Sequence, residues 1–156
     1  MKKSFSAKKI FLGSDHAGFA AKEKLKLYLD RRKINYEDLT PVKYDGDDYP
    51  EAAFAVATSV AADKNSKGIL VCGSGEGVAI AANKVKGVRA VAVTDKNLAK
   101  LSRLHNDANV LGLSGWLLPQ EKLQRIVDVW LQTKFSSQKR HKRRVAEIAA
   151  YEARRK

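Results

Sequence analysis

The stretch GILVCGSGEGVAIAANK, residues 68–84, decides the fold. GILVC is an unbroken apolar run of strand length, GSGEG is a glycine-rich turn, and GVAIAANK repeats apolar residues at helical spacing. A strand that is apolar at every position is buried on both faces, which is the habit of parallel sheets covered by helices. The same unit recurs outward in both directions. Upstream, KIFLGS (9–14) reads as a strand and AGFAAKEKLKLYLDRRK (17–33) as a helix. INYEDL (34–39) reads as a second strand, and the polar loop TPVKYDGDDYP leads to the alanine-rich helix EAAFAVATSVAADK, with Pro50 in its first turn. Downstream, GVRAVAV (87–93) is a strand, and DKNLAKLSRLH is a helix with Asp95 at its N-cap. ANVLGLS (108–114) is a fifth strand, Pro119 opens the helix QEKLQRIVDVWLQTKF, and a charged helix closes the chain. The alternation predicts a three-layer α/β/α, Rossmann-like fold around a five-stranded parallel sheet.

The 156 residues, 44% of them hydrophobic, suit one folded domain over residues 1–156. No apolar run approaches the roughly 20 residues of a membrane span. A single cysteine allows no internal disulfide, in keeping with a reducing cytoplasm, so a soluble cytoplasmic protein is expected. The formal net charge of +13 invites a nucleic-acid reading, but its distribution argues against it. Four lysines lie in residues 1–9, a net +7 lies in residues 134–156, and only +2 is left for the middle. Residues 1–7 are therefore expected to be a flexible basic terminus, and residues 137–156 a basic helix. Such a helix is commonly a solvated face, and binding of a phosphorylated ligand or RNA is the sharper alternative.

Open α/β sheets bind ligands beyond the carboxyl ends of their strands. The turn GSGEG follows a strand there, yet it is one residue short of the dinucleotide pattern G-x-G-x-x-G and falls in the third βα unit. No Gly-Lys-Ser/Thr follows, which excludes a Walker loop. What survives is a turn whose backbone N–H groups can face an anion, beside a bare tight turn as the plainer account. Cys72 stands at its lip. A lone cysteine at a strand end is commonly a small buried hydrophobe. A helix N-terminus, however, favours the thiolate, which serves as nucleophile or general base. One cysteine and three scattered histidines offer no metal-ligand spacing. Asp15 and His16 in GSDHAG end the first strand, and an aspartate there ordinarily caps a helix. His105 and Asn106 in RLHND precede the fifth strand, and a histidine at a helix end is ordinarily a benign terminal charge. Arg140 and Arg144 in KRHKRR share one helix face, a spacing suited to gripping phosphate. These segments are expected to converge on the carboxyl side of the sheet.

Taken together, GSDHAGF, DYP, CGSGEGVAIAANKVKGVRA, LSRLHNDANVLGL and RHKRRV resemble the ribose/galactose isomerase family, and within it the B-type ribose-5-phosphate isomerases, from about Lys9 to the C-terminus. The resemblance implies interconversion of ribose 5-phosphate and ribulose 5-phosphate through a cis-enediolate, with no metal and no cofactor, in pentose phosphate metabolism. Cys72 matches the general base and Ser74 the hydroxyl that assists it. The backbone of Gly73, Gly75, Glu76 and Gly77 would hold the enediolate. His105 matches the ring-opening histidine and Asn106 its neighbour in substrate binding. Asp15, His16 and Tyr49 match sugar contacts, with His16 near the phosphate, and Arg140 and Arg144 match phosphate-binding arginines. The resemblance further implies a homodimer whose active site is shared between subunits and reached by the C-terminal helix, with room for pairing into a tetramer. Val78 occupies the place where other members carry a glutamate base, so the cysteine variant applies. Two departures stand out: Trp116 replaces a commonly basic residue, and the loop TPVKYDGDD is individual. Galactose 6-phosphate, allose 6-phosphate or a tetrose phosphate are therefore the rival substrates, and a noncatalytic nucleotide- or RNA-binding module is the rival class.

Overall fold

A computed structural model describes residues 9–154. Strands and helices alternate up to a final pair of helices: β1 (Lys9–Ser14), α1 (Phe19–Arg31), β2 (Tyr36–Asp38), α2 (Tyr49–Ala62), β3 (Ser66–Cys72), α3 (Glu76–Ala82), β4 (Ala90–Ala92), α4 (Lys96–Asn106), β5 (Val110–Ser114), α5 (Gln120–Gln132) and α6 (Lys139–Ala153). All strand pairs are parallel, in the order β2-β1-β3-β5-β4. The register sets Ser14 beside Val71 and Cys72 beside Ser114, so three strands end level with one another. The expected flexible basic terminus, residues 1–7, lies outside the described residues.

Side chains alternate across the sheet with the period of two that a strand dictates. Ile10, Leu12, Ile69, Val71, Leu111 and Leu113 face a core closed by α1, α4 and α5, around the fully buried Trp130. Phe11, Leu70, Cys72 and Val110 face the opposite core, closed by α2 and α3. Helix α2 lies low on the sheet because β1 and β3 present Gly13 and Gly68 beneath Val56. A Cβ at those positions would come within 2.8 and 2.6 Å of its methyl groups.

Three strands are shorter than the sequence predicts: β5 starts at Val110 rather than at residue 108, and β2 and β4 are cut back for local reasons. The Ile34 N–H closes the end of α1 on the Leu29 carbonyl, so pairing starts only at Tyr36. Before β4, the Arg89 N–H donates to the Asn109 side chain, and the Asn83 side chain clamps the backbone of Ala90 at 2.7 and 2.9 Å. Asp95 caps α4 as expected, accepting from the N–H groups of Asn97 and Leu98.

Lys22 went unremarked in the sequence, on the periodicity of α1, yet it is fully buried. Its ammonium reaches Asp38 Oδ2 at 2.6 Å and the Thr40 carbonyl at 2.7 Å, with Lys26 on the same carboxylate oxygen at 2.9 Å. Burial alone would raise Asp38, but the hydrogen bonds from Lys22 and Lys26 outweigh it and hold the carboxyl below its usual range. The cluster fixes edge strand β2 and the start of the loop that follows it. Replacing Lys22 by methionine leaves a buried carboxylate with half its counter-charge, and the expected loss in urea unfolding is about 3 kcal/mol. A lowered carboxyl stabilises fully above the ordinary aspartate range and loses that effect as pH falls through the lowered value. Lys22→Met should accordingly show a shallower acid limb in its stability profile.

Candidate active site

The switch point of the sheet lies between β1 and β3, where the chain departs to β2 on one side and returns to β3 on the other. In open parallel sheets this is the point beyond whose strand ends ligands bind. Cys72, the last residue of β3, is 4% exposed, and its Sγ accepts the Gly75 N–H at 3.1 Å. Ser74 Oγ accepts the Glu76 N–H at 3.2 Å. Two of the turn's N–H groups therefore hold the thiol and the hydroxyl rather than facing outward. The turn needs glycine at position 75: its φ is +85°, and a Cβ would meet the Leu113 carbonyl carbon at 2.7 Å.

Two aromatic rings frame this turn. Trp116 lies against Gly73, close enough that a Cβ there would come within 2.7 Å of the indole, and the ring is 72% exposed. Tyr49, at the start of α2, lies against Gly77 in the same manner. Ser114 ties β5 to the turn by donating to the Gly73 carbonyl at 2.6 Å.

From β1, Asp15 is buried and accepts the Gly18 N–H at 2.9 Å, closing the entry to α1. His16 is exposed at the rim. Its ring nitrogen Nδ1 lies 2.9 Å from Asp47 Oδ1, and its own N–H donates to that oxygen at 2.7 Å. The hydrogen bond to Asp47 raises the imidazole above its usual range against the opposing effect of burial, and Asp15 adds to the rise. Asp47 escaped the sequence reading because it sits in the individual loop after β2, where only its nearness to Tyr49 hinted at a role.

His105, Asn106, Arg140 and Arg144 lie elsewhere, and here the expected convergence is corrected. In a parallel sheet each helix carries the chain back to the amino end of the next strand. The last turn of α4 thus stands at the amino end of β5, whereas Cys72 stands at the carboxyl end of β3. The four residue steps from Val110 to Ser114 separate those ends by about 13 Å. At the amino end His105 meets the start of α6. His141, the one buried residue of α6, stacks on His105 with ring centroids 4.3 Å apart and bonds Ser136 Oγ at 2.7 Å. Burial lowers His141, and the nearby His105, Arg140 and Arg144 lower it further. This contact docks the start of α6 against α4, with the exposed Arg140 and Arg144 close to His141.

The turn carrying His105 and Asn106 is tightly held. Asp107 adopts φ +47° at the end of α4, and its carboxylate bridges Arg103 at 2.8 Å and Arg89 at 3.1 Å. Arg89 Nε also donates to the Asn106 and Asp107 carbonyls. Among the described residues no group of three or more His, Cys, Asp or Glu could hold a metal ion. No helix there is long and apolar enough to cross a membrane.

Comparison with known proteins identifies the family. A model of the Ribose/Galactose Isomerase family matches residues 10–148. A relative from Mycoplasma pneumoniae named "Probable ribose-5-phosphate isomerase B" is 46% identical over 145 residues, 92% of this chain and 94% of that protein. Ribose-5-phosphate isomerase B of Escherichia coli is 41% identical over 148 residues, 95% of this chain and 99% of that protein. Among solved structures, ribose-5-phosphate isomerase B of Mycoplasma genitalium with bound ribulose-5-phosphate superposes with a TM-score of 0.90 at 41% identity, covering 94% of this chain and 97% of that one. With its β-α order, its cysteine-glycine turn and its His-Asn turn accounted for together, the chain belongs to the ribose/galactose isomerase family.

Proposed function

We propose that this chain is an aldose–ketose isomerase that interconverts ribose 5-phosphate and ribulose 5-phosphate at a site completed by a second copy of itself. The carrying observation is Cys72, buried at the switch point with the Gly75 N–H on its sulfur. Its two closely matched relatives above are named for this reaction, and the Mycoplasma genitalium enzyme holds ribulose-5-phosphate.

His105 moves a proton between the anomeric hydroxyl and the ring oxygen, opening the furanose to the aldehyde. The Cys72 thiolate removes the C2 proton, and the electron pair passes to the C1 oxygen as an enediolate. Ser74 and the remaining amides of Gly73 and Gly77 stabilise that charge. The thiol then returns the proton to C1 while the hydroxyl proton passes from O2 to O1, so nothing is gained or lost overall. Asp15 and Tyr49 contact the sugar and Asn106 assists from the facing subunit. His16, Arg140 and Arg144 hold the phosphate, and no cofactor takes part.

Reacting groups must lie within hydrogen-bond reach of one sugar. Within one chain the Cys72 and His105 groups occupy opposite ends of the sheet, so a homodimer that brings one end against the other is required. Helix α6 suits the role of the reaching element. Ile148 and Tyr151 on it are 53% and 69% exposed, apolar surface that a partner would cover. Trp116 favours a wider substrate range, since it replaces a charge at the mouth with an exposed ring. A panel of four-, five- and six-carbon sugar phosphates measures that range.

Mixing supplies the test of the shared site. Cys72→Ala and His105→Ala homodimers should each be nearly inactive. Refolded together, half the dimers are mixed and each carries one intact site, so about a quarter of wild-type turnover should return. No recovery in verified mixed dimers would place the whole site in a single chain. A second expectation concerns His16. Its raised pKa keeps it cationic at low pH, and as pH climbs through that value the phosphate loses an attraction and KM rises. Asp47→Asn should move this limb down toward about 6.5, with kcat changing less than KM.

A further inference from the structure

A cavity of about 560 Å³ opens at the amino end of the sheet, beneath α6 and away from Cys72. Its charged lining is Lys64, Lys67, Arg89, Arg103, Asp107 and Lys134, five cations and one carboxylate. None of Cys72, His105, Asn106, Arg140 or Arg144 lines it. The cations come from five separate places: the turn after α2, strand β3, the approach to β4, the end of α4 and the segment after α5. No local charge run accounts for the cluster, because the topology gathers it.

The single acid is already used, since Asp107 bridges Arg89 and Arg103. Asp63 stands nearby in sequence, but its carboxylate accepts the Asn65 N–H within its own turn. Lys67 is 5% exposed, and burial with the Arg103 charge beside it pushes its ammonium down to about 8, although Asp107 pulls the other way. The volume is that of a small-molecule site. Guanidinium and ammonium groups around such a space, with one spent counter-charge, suit a compound bearing several negative oxygens.

We propose that this cavity is a second anion site, which takes a multiply charged phosphate compound and modulates turnover from the amino end of the sheet. The route is short. Arg89 and Arg103 both hold Asp107, and Arg89 holds the Asn106 carbonyl. An anion drawing these guanidiniums into the cavity loosens the turn that presents His105 and Asn106.

The test titrates inorganic pyrophosphate and, separately, ATP into the full-length protein by calorimetry. The Arg140→Ala/Arg144→Ala protein is used to silence the phosphate grip of the isomerase site. Residual binding is expected there, and adding Lys64→Ala and Lys134→Ala should weaken it at least about tenfold. Both lysines are exposed, so these changes spare the core. Lys67→Met should weaken binding similarly. Equal affinity for the two probes would mean that phosphate groups alone are read, and tighter ATP binding that an organic moiety is also held. In steady-state assays of otherwise wild-type protein, pyrophosphate should lower kcat as well as raise apparent KM. In Lys64→Ala/Lys134→Ala it should act on KM alone. No residual binding, residual binding indifferent to the lysines, or purely competitive inhibition of the wild type would each overturn the proposal. Turnover lost on Arg140→Ala/Arg144→Ala reports on the isomerase reading separately, because Lys64, Lys67 and Lys134 play no part in it.

Discussion

The polarity of the parallel β-α unit is the constraint on which the rest of this molecule depends. Every strand delivers its loop to one end of the sheet, and every helix returns the chain to the other. Cys72, Asp15, Tyr49 and Trp116 belong to strand exits or helix starts, so they gather at the carboxyl end. His105 and Asn106 belong to a helix exit, so they stand at the amino end. No rearrangement of side chains brings the two groups together, because the sheet itself lies between them. The proposed chemistry needs both, and for that reason the proposal calls on a second chain.

Each half is held by backbone and side-chain bonds that stay within it. At the carboxyl end, the bonds Gly75 N–H to Cys72 and Ser114 to the Gly73 carbonyl join the thiol, the turn and β5 into one unit. At the amino end, Asn109 accepts from Arg89 and donates to the Gly87 carbonyl, while Asp107 gathers two arginines. Pre-formed geometry of this kind spends no binding energy on ordering the loops when a ligand arrives. It also divides the motif HNDANV by labour. The proposed reaction falls to His105 and Asn106, whereas Asp107 and Asn109 build the turn that carries them.

The order of strands and helices was legible because strands buried on both faces leave unbroken apolar runs, and amphipathic helices leave a period near 3.6. Pro50 and Asp95 marked helix starts by chemistry that needs no tertiary context. Buried charge was not legible. Lys22 occupies a place in α1 that looks solvated until β2 brings Asp38 against it. Asp47 likewise acquires meaning only when its loop folds back over His16. The end of the sheet to which a motif belongs is written in the chain, since a histidine closing a helix must precede the next strand. Reading motifs as a set, without following that direction, pooled residues from the two ends of the sheet.

The same direction explains the charge of the chain better than a nucleic-acid surface does. The +7 of residues 134–156 includes Arg140 and Arg144, anchored beside His105 by the buried ring of His141. Lys134 and the four cations beside it line one concave hollow rather than an extended stripe. A surface that tracks a polyanionic backbone needs cations in an exposed row. Here Arg103 is buried against Asp107 and the Ala108 carbonyl, and Lys67 is buried within β3. Concave, partly desolvated cations discriminate among small anions by shape and charge number, because each ammonium or guanidinium must be repaid its lost hydration by a fixed oxygen. The cations of this cavity are thus gathered by where a parallel sheet lets its helices and strands begin and end.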